Sequence, residues 1–143
     1  MKLFIFITCL LVSAIGISQN NEYAGTYEVL YQNDSENVIL KRTLTLNSDG
    51  TFYFHSYEYH EKTITPHEEN YYGKGTWTSK DKSIYFHASE SDLHDQHTLN
   101  FNTARGSYKS KHPRDKSDRV IIPSITIQEI DIFWLKRSKF LKK

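Results

Sequence analysis

The chain has 143 residues, 38% hydrophobic, 14% aromatic and 24% charged, a length that suits one packed domain. With 6 Gly, 3 Pro and no low-complexity run, it is neither collagen-like nor broadly disordered. A formal net charge of +1 gives no overall positive excess, so no nucleic-acid partner is expected.

Lys2, the apolar run from Leu3 to Ile17 and the small-x-small sequence Gly16-Ile17-Ser18 form the three regions of a secretory signal peptide. The run of 15 residues is shorter than the roughly 17 to 25 needed to span a hydrocarbon core. Cleavage is expected after Ser18, leaving one domain over residues 19–143 with a basic C-terminal tail, exported to the periplasm or the extracellular space. Lipid modification at Cys9 is not expected, because Phe6-Ile7-Thr8 before it lacks a small residue. Cys9 is the only cysteine, so the mature chain has no disulfide and no thiolate, which excludes thiol catalysis and Cys-ligated metal centres.

Beyond the leader the apolar residues recur with period two, and no long helical stripe follows. A first strand is expected near Gly25 to Tyr31. Val38 to His60 reads as a hairpin turning at Ser48-Asp49-Gly50, with Gly50 left-handed and Asn47 opposite Thr51. This register places Leu46 opposite Phe52, Leu44 opposite Phe54, Arg42 opposite Ser56 and Leu40 opposite Glu58. Tyr71 to Ala88 reads as a second hairpin, with Ser79 to Lys82 as its loop, Trp77 opposite Ile84 and Gly75 opposite Phe86. Gly73 and Gly75 share a face with Trp77 and mark a bend or a close approach. Further strands are expected near His97 to Thr103 and within Arg119 to Arg137, with Pro123 at a bulge, an edge or a strand start, because it donates no ladder bond. Gly106 to Asp118 reads as a long, mobile polar loop. Seven or eight strands joined in sequence order favour an all-β antiparallel meander closing into a small barrel, with Trp77, Phe52, Phe54, Ile84, Phe86 and Trp134 in its core.

Gly25-Thr26-Tyr27, the succession of hairpins and the closing Trp134-Leu135-Lys136-Arg137 together resemble the small lipocalin-like, calycin-type β-barrels exported by bacteria. The resemblance spans nearly all of the chain after the leader. It implies that Gly25 and Tyr27, the latter standing where the family has Trp, pack against Arg137. It also implies a cup that holds an apolar ligand and is not an enzyme.

The inner face of the first hairpin changes from apolar at Leu46, Phe52, Leu44 and Phe54 to polar at Arg42, Ser56, Glu58 and His60. Arg42 and Glu58, diagonal neighbours at the mouth, are candidates to orient a ligand headgroup. Ser56, His60 and Trp77 complete the candidate ligand-binding set. The opposite face carries the row Tyr53, His55, Tyr57 and Tyr59, which suits either a carbohydrate or a packing neighbour. Asp92, His94 and His97 are weak metal candidates whose spacing fits no metal motif, and no cofactor is expected. No nucleophile elbow or phosphate loop occurs, and the carboxylates Glu58, Glu61, Glu68 and Glu69 have no spacing that sets two across a scissile bond. The chain is therefore expected to be a monomeric, non-enzymatic protein binding a small apolar or amphipathic ligand in the barrel.

Charge offers a second reading. Residues 19–99 carry a net −7 and residues 100–143 a net +7. Either the two halves lie side by side and cancel, or the basic loop and tail of a filled-core interaction module bind a protein or an anionic envelope surface. The export reading is checked by mass: protein recovered outside the cytoplasm should begin at Gln19, and a mass that retains Met1 to Ser18 would overturn it.

Overall fold

The computed structural model describes residues 22–61, 65 and 67–143; the expected leader and Cys9 lie outside the described residues. Alternation of apolar and polar side chains produces eight antiparallel strands, each hydrogen-bonded to its neighbour in chain order and closed into a barrel between the last and the first. The strands are β1 (Gly25–Asn33), β2 (Val38–Leu46), β3 (Thr51–His60), β4 (His67–Lys80), β5 (Ser83–His87), β6 (Arg105–Lys109), β7 (Ser124–Glu129) and β8 (Lys139–Lys142). The all-β barrel expected from the sequence is the fold observed. No helix among the described residues is long and apolar enough to cross a membrane.

The first hairpin has the expected register from Leu46 opposite Phe52 to Leu40 opposite Glu58. Its turn holds Gly50 at a φ of 89°, where a side chain would be strained, and the Asn47 amide donates to the Thr51 carbonyl at 2.9 Å. The second hairpin corrects the expected loop. Asp81 and Lys82 alone make the turn, at φ of 50° and 65°, and Trp77 faces Phe86 while Ile84 faces Ser79. Two central residues at positive φ match the twist of the flanking strands, so the chain adopts the tighter turn even without a glycine.

Three further expectations are corrected. Residues 97–103 form no strand, because Phe101 turns into the barrel and the chain reverses at Thr103, whose φ is 65°. The expected loop from Gly106 begins later, since β6 runs to Lys109, and Val120 to Ile122 lie outside any strand, with Val120 exposed. Trp134 to Arg137 is not the closing strand. Phe133–Leu135 is a single 3₁₀ turn and β8 starts at Lys139. Pro123 precedes β7 directly, the strand-start position its missing N–H allows, and its carbonyl accepts from the Lys142 amide at 2.8 Å.

The interior is filled. Trp77, Tyr27, Phe52, Phe86, Phe101 and Phe140 are its largest fully buried side chains. Phe52 meets Phe86 edge-on at 5.0 Å, and Phe101 packs on Phe52 at 5.2 Å and on Phe54 at 5.1 Å. Phe101 reaches this position because Gly73 leaves space: a Cβ there would lie 2.7 Å from the Phe101 ring. The close approach expected at Gly73 is therefore made by a ring from the β5–β6 connection.

Strand directions define two ends. The turns at 47–50 and 81–82, the loop 110–123 and the C-terminus share one end. The connections 34–37, 88–104 and 130–138, the end of β3 and the start of β4 share the other, the mouth. Phe101→Ala should destabilise the protein by about 3–5 kcal/mol in urea unfolding. Gly73→Ala should cost less in the Phe101→Ala background than alone; strictly additive costs would show that the two positions do not share this contact.

Candidate functional site

β1 to β4 are longer than β5 to β8, so at the mouth they rise as a wall above the packed core. The inner positions of this wall continue the period that buries Leu44, Phe54 and Gly73 below. They are Arg42 on β2, Ser56, Glu58 and His60 on β3, and Tyr71, Glu69 and His67 on β4. In register, Glu58 faces Glu69, His60 faces His67 and Ser56 faces Tyr71. Opposite the wall, the 3₁₀ turn after β7 lowers Trp134 onto Arg42. Arg42, Ser56, Glu58, Glu69, Tyr71 and Trp134 enclose a cavity of about 340 Å³, within the range of small-molecule sites.

The Arg42 guanidinium carbon lies 4.6 Å from the centre of the Trp134 ring, and its Nη1 donates to the Trp134 carbonyl at 3.3 Å. Its Nε is buried without a hydrogen-bond partner, and no carboxylate among the described residues is within ion-pair distance of it. Burial lowers its pKa from the ordinary arginine value, and the charge of Glu58 partly offsets that shift. The expected Arg42 and Glu58 pair therefore shares one cavity without direct contact.

The carboxylates instead pair with histidines on their own strands. His60 Nε2 and Glu58 Oε1 are 2.6 Å apart, as are His67 Nε2 and Glu69 Oε1. The Tyr71 hydroxyl donates to Glu69 Oε2 at 3.0 Å. The hydrogen bond from His67, followed by that from Tyr71, holds the Glu69 carboxyl below its ordinary pKa. The same bond raises the Tyr71 phenol. Ser56 is buried at the floor, and the Tyr71 and Trp134 rings lie 6.0 Å apart above it.

Of the residues expected at the site, Arg42, Ser56 and Glu58 line the cavity and His60 supports Glu58. Trp77 does not. It is 1% exposed at the opposite end of the barrel, where its Nε1 donates to the Asn47 carbonyl at 2.9 Å. Tyr71, His67 and Glu69, the last read from the sequence only as one of four unpaired carboxylates, join this set, and counting back by two from Trp77, Gly75 and Gly73 reaches all three. Trp134, expected in the core, is only partly buried at the mouth.

The row Tyr53, His55, Tyr57 and Tyr59 lies on the outer face. His55 stacks on Tyr72 at 4.5 Å with rings 2° from parallel. Asp92 accepts from the Ser89 amide at 2.9 Å and hydroxyl at 3.0 Å. His94 and His97 face each other across an isolated bridge with ring centres 5.2 Å apart. Among the described residues, no group of three His, Cys, Asp or Glu side chains is arranged to hold a metal ion.

Gly25 and Tyr27 have a basic partner, but it is not Arg137, which is exposed. Lys142 passes over Gly25 and sets its Nζ 5.7 Å from the centre of the Tyr27 ring. No family model, no curated protein and no solved structure matches this chain.

The lowered Glu69 pKa has a pH signature. Its stabilising contribution should be complete above the ordinary value of 4.5 and should be lost as pH falls through the lowered folded value. Carboxyl NMR should find Glu69 titrating below 4.5, and His67→Asn and Tyr71→Phe should each move it up. An unmoved midpoint would show that these bonds do not hold the carboxylate.

Proposed function

We propose that the protein is an exported, non-enzymatic binding protein that holds a small amphipathic ligand at the barrel mouth, with its headgroup against Arg42 and Glu58. The observation that carries this reading is the half-buried Arg42 cation, without a carboxylate partner among the described residues, facing a cavity of about 340 Å³ walled by Tyr71 and Trp134. A partly desolvated charge without a counter-charge is costly, and a ligand group at the mouth would supply one. The filled core favours an amphipathic ligand over a wholly apolar one. Side chains occupy the space an apolar ligand would need, leaving aromatic edges and charged groups at the rim.

Each mouth carboxylate is already engaged by a histidine on its own strand, which weighs against its serving as a free acid or base. Export rests on the Lys2, Leu3 to Ile17 and Gly16-Ile17-Ser18 pattern.

The alternative, binding through the basic loop and tail, draws less support. Lys143 pairs with Glu28 at 3.2 Å, and the Lys142 Nζ donates to the Glu22 carbonyl at 3.2 Å, so the end of the tail serves the barrel's own seam. In the loop, Arg119 pairs with Asp115 at 3.0 Å and Lys111 donates to the Ser117 carbonyl.

Native mass spectrometry of the purified protein tests the reading. A defined small-molecule excess over the denatured mass is expected, with Arg42→Ala and Glu58→Ala each weakening retention about tenfold, equivalent to about 1.4 kcal/mol. Lys116→Ala, in the loop at the other end, should leave retention unchanged. Retention indifferent to both mouth substitutions would place the ligand elsewhere, and loss on Lys116→Ala would favour the basic loop.

A further inference from the structure

Among the described residues, the cavity at the mouth is lined by one cation and two carboxylates, and their arrangement narrows the ligand class. Glu58 and Glu69 are directly opposed across β3 and β4, a register in which like charges repel. Their hydrogen bonds come from His60, His67 and Tyr71, so neither carboxylate has a lysine or arginine partner among the described residues. Arg42 lies one diagonal step from Glu58, opposite Ser56, and has no anion within ion-pair distance among the described residues. One small cavity thus has a cation without an anion and, about 7–8 Å away along the diagonal of the sheet, two carboxylates whose partners are imidazoles and a phenol and not a permanent cation.

We infer that the ligand headgroup is a compact zwitterion, its carboxylate set on Arg42 and its ammonium between Glu58 and Glu69, with a flat or apolar substituent against Tyr71 and Trp134. This rests on the mouth being the binding site. A lone anion would gain Arg42 but meet two carboxylates, and a lone cation would gain the carboxylates but leave Arg42 unpaired. A free amino acid with an aromatic side chain carries both charges on one carbon, and an ion-pair contact of about 3–4 Å at each end lets it span this diagonal, with the apolar part supplied as well. The filled interior sets the upper bound on size, since a long chain has no channel below Ser56 and Phe54 to enter.

Three probes sharing one phenyl group separate the charges: L-phenylalanine, 3-phenylpropanoate and 2-phenylethylamine. Calorimetry at pH 8 should find L-phenylalanine at least about tenfold tighter than either singly charged probe, a difference of about 1.4 kcal/mol. Glu58→Gln and Glu69→Gln keep the side-chain shape at partly exposed positions. Each should weaken L-phenylalanine about tenfold while leaving 3-phenylpropanoate unchanged or tighter. If either singly charged probe binds as well as the zwitterion, the inference is overturned and the mouth remains a binding site. If none of the three binds, the inference is overturned as well. The native mass spectrum then decides separately for the mouth, which stands if a retained molecule is lost on Arg42→Ala.

Discussion

β1 and β8 meet through only two residue pairs, Tyr27 with Lys142 and Glu28 with Leu141, and that seam turns a twisted sheet into a container. A sheet left open would expose the edges of β1 and β8 and uncover the rings now packed inside. Lys142 and Lys143 reinforce the short seam. The Lys143 amide donates to the Thr26 carbonyl at 2.9 Å, its ammonium pairs with Glu28, and Lys142 lies across Gly25 and Tyr27. The acidic first part of the chain and the basic last part are neighbours here, which accounts for some of the charge polarity along the sequence. With no disulfide available from one cysteine, closure depends on these contacts and on the core.

The mouth follows from unequal strand lengths. Where all eight strands are present, facing rings fill the barrel and exclude water. Above that level only β1 to β4 continue, and an inner face that looks across a gap has less apolar surface to meet. The sequence along that face changes at the same height, from Phe54 to Ser56 and from Leu44 to Arg42. One periodicity thus builds a dry core and, two residues further, a partly solvated cup in which charges are tolerated but not fully neutralised. Trp134 links the two regions, packing towards Phe54 below and carrying Arg42 on its ring.

Much of this was legible before the fold was known, and the exceptions have physical causes. The β2–β3 hairpin could be registered residue by residue because Asp49-Gly50 fixes the turn and Leu44, Leu46, Phe52 and Phe54 alternate on either side of it. The β4–β5 register slipped by two, a change that leaves every side chain on the same face, so the hydrophobic pattern gives no warning. The first four residues of β4, His67 to Asn70, have neither apolar alternation nor β-branched residues, so the expected hairpin begins only at Tyr71 and the inward facing of His67 and Glu69 was missed. Leu99 and Phe101 imitate a strand's alternation, but Phe101 is placed by the space at Gly73, which lies far away in the chain. Trp134 sat in an apolar run that suggested a strand, whereas the backbone there makes a single 3₁₀ turn. Local pattern identified the charged face of one hairpin; what stands opposite it was decided by closure.

The chain enters β1 and leaves β8 at the end of the barrel away from the cavity. Anything joined to either side of this domain, whether a support, a surface or another protein, would be held beneath the cup, leaving the opening turned outward and unobstructed.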